Sequence, residues 1–290
     1  MMMRRLATRF LSRGRLISSS SLVLSRSRRN IVLVSSTIGL ATATLWNNEK
    51  RLARTGNSSL ESELKSIDEN WESDMESAAT ALASLAAEYP NNPEILWRRA
   101  RVAYNIGFAI EDTNAKKRRF QEAMDFCTEA LRYGANISAT HKWYAIVLSE
   151  ISGLQGTKAS IQSSYEVKEH FDRAAELDPS DPNCWHFLGR WSFTIASIGW
   201  WSRQAAAAIF ATPPESSFEE ALDFFEKAEA IRPGFWKANN LFIAKCHQSL
   251  GNTEKALEWL QKANSLPTNT AEDIQTQKEV SELLEKLSKK

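Results

Sequence analysis

The chain of 290 residues is predicted to fold as an all-α helical-repeat solenoid, and three observations predict it. Apolar residues recur at steps of three and four along most of the chain after residue 67, which is the period of amphipathic helices. Neither strand-like alternation nor hairpin turn sequences occur in that region. One spacing of residues also recurs several times, as expected where helix pairs bury their apolar faces against neighbouring pairs.

The N-terminal segment, residues 1–30, has a composition of its own. Residues 1–48 contain eight arginines and no Asp, Glu or Lys, and serine is frequent among them. A basic, serine-rich and acid-free composition is typical of a mitochondrial targeting segment. We therefore predict that residues 1–30 direct the chain to mitochondria, and a disordered basic tail is the alternative.

A stretch of 16 uncharged residues, 31–46, follows this segment. As a helix it would span ~24 Å, which is shorter than the ~30 Å hydrocarbon core of a bilayer. It is predicted to be either a short membrane anchor or the remainder of the targeting segment. Residues 47–66 are polar and include Gly56 and Asn57, so they are predicted to be a linker that becomes helical at its end.

The repeat domain is predicted to cover residues 67–269. Its first helical pattern, Ile67–Tyr89, stops at Pro90. Residues 270–290 are predicted to form a polar-faced C-terminal capping helix, because the last unit of a repeat array must present a polar outer face to solvent. Thr270 and Asp273 have the spacing of a capping box at the start of that helix.

The recurring spacing is clearest in the second helix of each pair. Ala221, Phe225 and Ala228 are separated by four and three residues, and Pro233 follows. Small residues at this spacing allow two helices to cross closely, and the pattern resembles the second helix of a tetratricopeptide repeat. The same spacing recurs at Val167, Phe171 and Ala174, at Ala123, Cys127 and Ala130, and at Ala256, Leu260 and Ala263.

The first helices carry a patterned tryptophan in three of the four pairs. Trp97 and Trp143 are 46 residues apart, and Trp143 and Trp185 are 42 apart. An ordinary tetratricopeptide repeat has about 34 residues. The sequence therefore predicts a tetratricopeptide-like solenoid with elongated or inserted helix pairs, the longest insertion lying between Trp191 and Phe218.

Charge and motifs exclude several classes of function. The whole chain has a net charge of +1, and residues 1–48 contribute eight positive charges, so the remainder carries −7 and does not predict a nucleic-acid binder. The three cysteines and four histidines lack the spacing of a metal site. No catalytic or nucleotide-binding motif is present. We therefore predict a protein that is not an enzyme and that has no cofactor or metal.

A partner groove is predicted on the concave face that the first helices line. Positions counted from each patterned tryptophan select basic and aromatic side chains, and such a groove suits an anionic ligand, either an acidic peptide or a lipid phosphate. In the alternative, these side chains pair with acids of neighbouring helices. The groove residues are Arg98, His141, Tyr144, His186, Arg190 and Lys245.

Two further features are candidate sites. An aromatic cluster could form core or line an apolar cavity; its members are Trp191, Phe193, Trp200, Trp201 and Phe210. A basic run, predicted to lie in an interhelix connection, could contact an acidic polymer or an anionic membrane; it consists of Lys116, Lys117, Arg118 and Arg119.

Several of these segments together resemble the regulator of microtubule dynamics family, over roughly residues 70–265. The resemblance lies in HKWYAIVLSE at 141–150, LGRW at 188–191, WWSR at 200–203 and RPGF at 232–235. It implies a tetratricopeptide-like domain that associates with microtubules and spindle poles. One membrane-anchored member of the family is implicated in phospholipid binding, so the resemblance also implies that alternative function. The expected address is the mitochondrion, with the cytoplasm or spindle as alternative.

Overall fold

The computed structural model describes residues 58–199, 212 and 214–289. By contacts the chain divides into two units, Met1–Ser62 and Glu63–Lys290. The predicted targeting segment, the 31–46 stretch and most of the linker lie outside the described residues. Among the described helices, none combines the length and the hydrophobicity needed to cross a membrane.

The described residues form α-helices, without a strand. The helices are α1 (58–70), α2 (Met75–Glu88), α3 (Pro93–Ala109), α4 (Thr113–Gly134), α5 (Ser138–Gln155), α6 (Thr157–Leu177), α7 (Pro182–Ala196), α8 (Phe218–Ile231), α9 (Lys237–Ser249), α10 (Thr253–Ser265) and α11 (Ala271–Ser288). The pairs α3–α4, α5–α6, α7–α8 and α9–α10 pack as hairpins, and consecutive hairpins pack on one another. The prediction of an all-α helical-repeat solenoid is confirmed.

The recurring spacing identifies the core of each hairpin. Phe225 is fully buried between its flanking alanines, and the corresponding residues of the other second helices are buried too. Gly189 of α7 shows why a small residue is required at the crossing. A Cβ atom there would lie 2.7 Å from two ring carbons of Phe225, closer than side chains can approach.

Polar side chains begin several of the helices. The side chains of Asp112, Asp181 and Ser217 each accept a hydrogen bond from a backbone N–H of the first turn that follows. The capping box of Thr270 and Asp273 is complete. The N-terminus of α8 departs from such a box, because Glu220 accepts a hydrogen bond from the hydroxyl group of Ser216 at 2.6 Å instead of one from the backbone of Ser217.

The first helical pattern is interrupted where the sequence predicts one helix. The segment from Ile67 to Tyr89 is divided between α1 and α2 by a turn at 71–73. Asp74 caps α2, accepting hydrogen bonds from the backbone N–H and the hydroxyl group of Ser77 at 3.0 and 2.6 Å. The local capping bonds of Asp74 therefore compete successfully with continued helix.

The basic run also lies elsewhere than predicted. Lys116 to Arg119 belong to the first turns of α4, which begins at Thr113, and not to a connection between helices. The reason is the cap: Asp112 accepts a hydrogen bond from the backbone N–H of Ala115 at 2.7 Å, which starts the helix before the basic residues.

The C-terminal helix is fixed by a buried lysine of α9. Lys237 is only 2% exposed. Its ammonium group donates to the carbonyl oxygen of Leu266 at 2.8 Å, to the hydroxyl of Thr268 at 3.0 Å and to the amide oxygen of Gln277 at 2.5 Å. Because an ammonium group has three donors, these bonds satisfy it, and they join α9, the α10–α11 connection and α11.

Candidate interaction surfaces

Arg98, the first of the predicted groove residues, is paired within the body. Its guanidinium group lies 2.6 Å from the carboxylate of Asp68 and 2.8 Å from that of Glu94. Asp68 also binds Arg101 at 2.7 Å. Burial raises the pKa of Asp68, but the two guanidinium groups together outweigh it and keep that pKa below its usual value. Arg98 therefore follows the alternative given above, in which a predicted groove residue pairs with acids of neighbouring helices.

His141 and Tyr144, both in α5, contact residues of α6 and not the surface around Arg190. The Nδ1 atoms of His141 and His170 are 2.9 Å apart, and Nε2 of His141 is 3.0 Å from the carbonyl oxygen of Ala135. Since a carbonyl can only accept, Nε2 of His141 is the donor in its contact with Ala135. The hydroxyl group of Tyr144 donates to Glu166 at 2.7 Å.

His186 is a core residue and cannot line an open groove. It is fully buried, and its ring centroid lies 4.1 Å from that of Trp236. Nδ1 is 3.0 Å from the amide oxygen of Asn239, so this nitrogen carries the proton. Burial, and secondarily the nearby Arg190, lower the pKa of His186 to about 3, so that it is neutral at physiological pH.

Arg190 of α7 lies on a surface that is called here the inner face. This surface also carries Tyr104 of α3, Glu150 of α5, Phe242 and Lys245 of α9, and Glu272 and Glu279 of α11. The guanidinium carbon of Arg190 lies 4.4 Å from the ring centroid of Phe242 in α9. Arg190 interacts electrostatically with Glu272, Glu150, Tyr104 and Glu279, which belong to α11, α5 and α3. Among the described residues, however, its guanidinium group has neither a hydrogen bond nor an ion pair.

Lys245 lies beside Arg190 but is already paired. Its ammonium group is 2.6 Å from the carboxylate of Glu279 and 4.6 Å from the ring centroid of Phe242. Of the six predicted groove residues, the structure therefore brings together Arg190 and Lys245 at the inner face. Arg98, His141, Tyr144 and His186 have partners or positions elsewhere.

Sequence reasoning missed three residues of the inner face, Tyr104, Glu150 and Glu272. The intervals from tryptophan that select the groove residues skip position 104 in α3 and position 150 in α5. A usable signal existed, because Glu150 is a lone carboxylate within the otherwise uncharged stretch from Trp143 to Gln155. Glu272 was considered only as part of the capping helix.

The inner face is not a basic groove, which corrects the prediction. Its described cations are Arg190 and Lys245, and its described anions are Glu150, Glu272 and Glu279. The carboxylates that α5 and α11 contribute therefore outnumber the basic residues of α7 and α9. An exclusively acidic ligand would therefore meet repulsion there as well as attraction.

The basic run forms an exposed patch, called here the basic patch, together with Phe108 at the end of α3. Lys117 and Arg118 are exposed and have no hydrogen bond or ion pair with any described residue. The ammonium group of Lys116 lies 5.7 Å from the ring centroid of Phe108, which is 61% exposed. Arg119 binds Glu122 at 2.7 Å.

The aromatic cluster is only partly within the described residues. Trp191 is buried, and its indole N–H donates to the carbonyl oxygen of Ser164 at 2.9 Å. Phe193 packs edge-on against Phe242 with the ring centroids 5.3 Å apart. Trp200, Trp201 and Phe210 lie outside the described residues, so the apolar cavity stays a prediction.

A pocket of about 950 Å³ does lie beside Trp191, but half of the residues that line it are charged. Lys168 in its wall is paired with Asp172 at 2.8 Å, and Arg173 with Glu176 at 3.0 Å. In the described part of the chain, no cluster of His, Cys, Asp or Glu could hold a metal ion. All three cysteines are buried, and burial raises the pKa of each thiol, which makes them poor nucleophiles.

Comparison with known proteins gives a family, several relatives and a fold. The family described as regulator of microtubule dynamics protein 1-3 matches residues 62–288. Regulator of microtubule dynamics protein 1 of Pongo abelii is 39% identical over 198 residues, covering 68% of this chain and 63% of that protein. Regulator of microtubule dynamics protein 3 of Xenopus laevis is 38% identical over 196 residues, covering 68% of this chain and 42% of that protein.

Among solved structures, a thermophilic TPR protein from Thermus thermophilus is similar with a TM-score of 0.55. The alignment covers 77% of this chain and 98% of that one at 12% identity, so the similarity shows the fold alone. It supports a tetratricopeptide-like solenoid. The chain spans less than two thirds of the length of the curated relatives it matches, 63% in the Pongo abelii protein.

Proposed function

Because this chain belongs to the regulator of microtubule dynamics family, we propose that its helical-repeat body is a non-catalytic interaction module that binds microtubules or another acidic partner. The relatives' names support microtubule regulation as the setting. The fold supports a protein–protein interaction, since stacked helix pairs present extended binding surfaces. In this proposal no residue of the chain performs catalysis.

The observation that carries the proposal is the basic patch. The chain after residue 48 is net acidic, yet four consecutive basic residues stand together on α4, and Lys117 and Arg118 among them are exposed and unpaired. Like charges repel one another unless a counter-charge is supplied, and an acidic surface such as the tails of tubulin would supply it. The inner face, where the described carboxylates outnumber the cations, is a poorer site for such a partner.

The test is a charge reversal in the full chain. Replacing Lys117 and Arg118 together with glutamate should weaken co-sedimentation with microtubules by at least about tenfold in Kd at low salt, which corresponds to ~1.4 kcal/mol. Binding by the unaltered chain should weaken steeply as the salt concentration rises, because salt screens exposed charges within about 10 Å at 0.1 M. Both effects are measured by quantifying pelleted protein across a microtubule titration.

The matched control reverses two exposed lysines of α11, Lys278→Glu and Lys286→Glu, which changes the net charge by the same amount. This variant should bind like the original chain. Equal losses in the two variants would mean that only total charge matters. No loss in the basic-patch variant would reject this surface, and the eight arginines of residues 1–48 would then become the first site to test.

The alternative function, binding of a phospholipid, depends on Trp200, Trp201 and Phe210, which lie outside the described residues. It predicts that a phospholipid co-purifies with the chain and is detectable by mass spectrometry. Replacement of Trp200 and Trp201 with alanine should then remove the lipid and leave microtubule sedimentation unchanged.

The address of the chain is also a proposal: residues 1–30 direct it to mitochondria, with the cytoplasm or spindle as alternative. Replacing Arg4, Arg5, Arg9, Arg13 and Arg15 with glutamate should leave a fluorescent fusion outside mitochondria, because import requires a positively charged, acid-free segment. Continued colocalisation of that variant with a mitochondrial marker would reject the proposal. With the unaltered chain, protease protection of a C-terminal tag in isolated mitochondria would establish on which side of the membranes the body lies.

A further inference from the structure

A small open pocket lies within the basic patch, at the corner where α3 ends and α4 begins. Its volume is about 290 Å³, and its lining residues are Ile110, Ala115, Arg118, Arg119 and Glu122. The four of these that belong to α4 follow one another at steps of three, one and three, so they lie along one face of that helix. Ile110 belongs to the connection between the two helices. One pocket therefore combines apolar side chains with charged ones.

The charged side chains of this pocket differ in whether they have a partner. Arg119 and Glu122 form an ion pair at 2.7 Å. Arg118 is exposed and has neither a hydrogen bond nor an ion pair with any described residue. The pocket therefore offers one guanidinium group that can bind an anion from outside, next to the apolar surface of Ile110 and Ala115.

Charge by itself gives this corner little affinity for an acidic partner. Ion pairs between exposed side chains contribute little, because water and salt screen them. Glu111 is exposed beside the basic run, and its carboxylate repels an acidic ligand. Asp112 adds a second carboxylate, although its side chain caps α4. A partner that binds this corner tightly must therefore also bury apolar surface.

We propose that the pocket accepts one apolar side chain, of the size of leucine or phenylalanine, from a partner segment that is rich in carboxylates. A carboxylate next to that side chain binds Arg118, and further carboxylates face the remaining cations of the basic patch. This inference rests on the proposed function, because it states which kind of acidic partner the basic patch takes. It adds that the patch selects among acidic segments by an apolar side chain and not by charge alone.

An anionic membrane is the other partner that basic and apolar side chains could suit. A membrane surface favours apolar side chains that project outward. Among the described large hydrophobic residues of this corner, Phe108 alone does so, with 61% of its surface exposed. The pocket, in contrast, receives a side chain and inserts nothing into lipid. It therefore favours a peptide, and Phe108 provides the means to test for a membrane.

Two synthetic glutamate-rich peptides that differ only in one central residue, phenylalanine or serine, test this inference. Each carries a fluorescent label, and anisotropy measures its binding to the full chain. We expect the phenylalanine peptide to bind about tenfold more tightly, because only its central side chain gains from leaving water. Ala115→Leu should reduce the ratio of the two affinities to about one, because the longer side chain fills the pocket. Arg118→Gln should weaken both peptides by a similar factor, since both lose the same carboxylate contact.

Three controls exclude a general effect on the fold. Ala115→Leu should bind the serine peptide as well as the unaltered chain does, because the basic side chains are intact. Ala86→Leu makes the same substitution at a half-buried alanine of α2 and should leave the ratio unchanged. Phe108→Ser should also leave the ratio unchanged, because Phe108 is not among the residues that line the pocket.

Equal binding of the two peptides by the unaltered chain would overturn this inference, and so would a ratio that Ala115→Leu leaves unchanged. Sedimentation with vesicles of phosphatidylcholine and phosphatidylserine covers the membrane. Vesicle binding that Phe108→Ser weakens, in a chain that does not distinguish the peptides, would assign the corner to a lipid surface instead.

The proposed function is judged separately, by microtubule sedimentation of the variant in which Lys117 and Arg118 are reversed. If that variant sediments like the unaltered chain, the proposed function fails, and the peptide ratio still decides whether the pocket binds an apolar side chain. If the ratio fails instead, microtubule binding through charge alone still stands.

Discussion

Replacing Lys237 with alanine is expected to lower the free energy of unfolding by about 3 kcal/mol. The side chain is enclosed, and its ammonium group holds three oxygen acceptors from the α10–α11 connection and α11. Without the lysine, these acceptors lose their common donor, and α9 loses its hydrogen bonds to the α10–α11 connection and to α11. The change is measured as a shift of the urea unfolding midpoint.

The same variant should have a local signature. Lys237 links α9 to Thr268 and Gln277. In the Lys237→Ala variant, hydrogen exchange should therefore accelerate, relative to the unaltered chain, more for the amides of α11 than for those of α5 or α6. Lys255→Ala removes an exposed lysine of α10 and serves as the matched control, with an expected change within about 0.5 kcal/mol. Equal stability of the Lys237 and Lys255 variants would show that the buried hydrogen bonds do not hold the C-terminal helix.

The Gly189→Ala substitution should destabilise the chain by about 1–3 kcal/mol, although alanine is the better helix former. The added Cβ atom would lie 2.7 Å from the ring of Phe225, which is completely buried between α7 and α8. The ring can move only by shifting its own helix, because the surrounding core is closely packed. Thermal or urea unfolding measures the loss.

A second glycine provides the comparison. Gly153 of α5 is exposed, and a Cβ atom there would meet nothing within 4 Å, so Gly153→Ala should be neutral or stabilising by up to about 1 kcal/mol. Phe225→Leu should partly restore stability when it is combined with Gly189→Ala, because it removes the ring that the methyl group strikes. Opposite signs for the two glycine substitutions, together with this rescue, would establish the crossing contact.

The recurring pattern predicted the helices and their core well because both depend on local spacing. Ala221, Phe225 and Ala228 lie on one side of a helix with 3.6 residues per turn, and that side is buried in the structure. Helix starts were also local, as the capping box of Thr270 and Asp273 illustrates. The turn at 71–73 was missed because the apolar spacing continues across it.

The candidate sites were predicted less well, because they depend on how each helix is rotated against distant ones. A fixed interval from the patterned tryptophan selected Arg190, which lies near Glu150 and Tyr104, but it omitted those two residues and placed His186 on a surface when it is core. In α5 the same interval selects His141 and Tyr144, which face α6. One interval therefore does not select the same surface in every first helix.

By itself the sequence determined the all-α repeat architecture, the buried residues of each hairpin and the resemblance to the family, because these are properties of spacing along one helix. Only the tertiary structure decided which charges meet. Arg98 pairs with Asp68, Lys245 pairs with Glu279, and Arg190 stands between carboxylates of α5 and α11 without a direct partner among the described residues. The physical reason is that electrostatic energy depends on distances between side chains, and those distances are set by the packing of helices far apart in the chain.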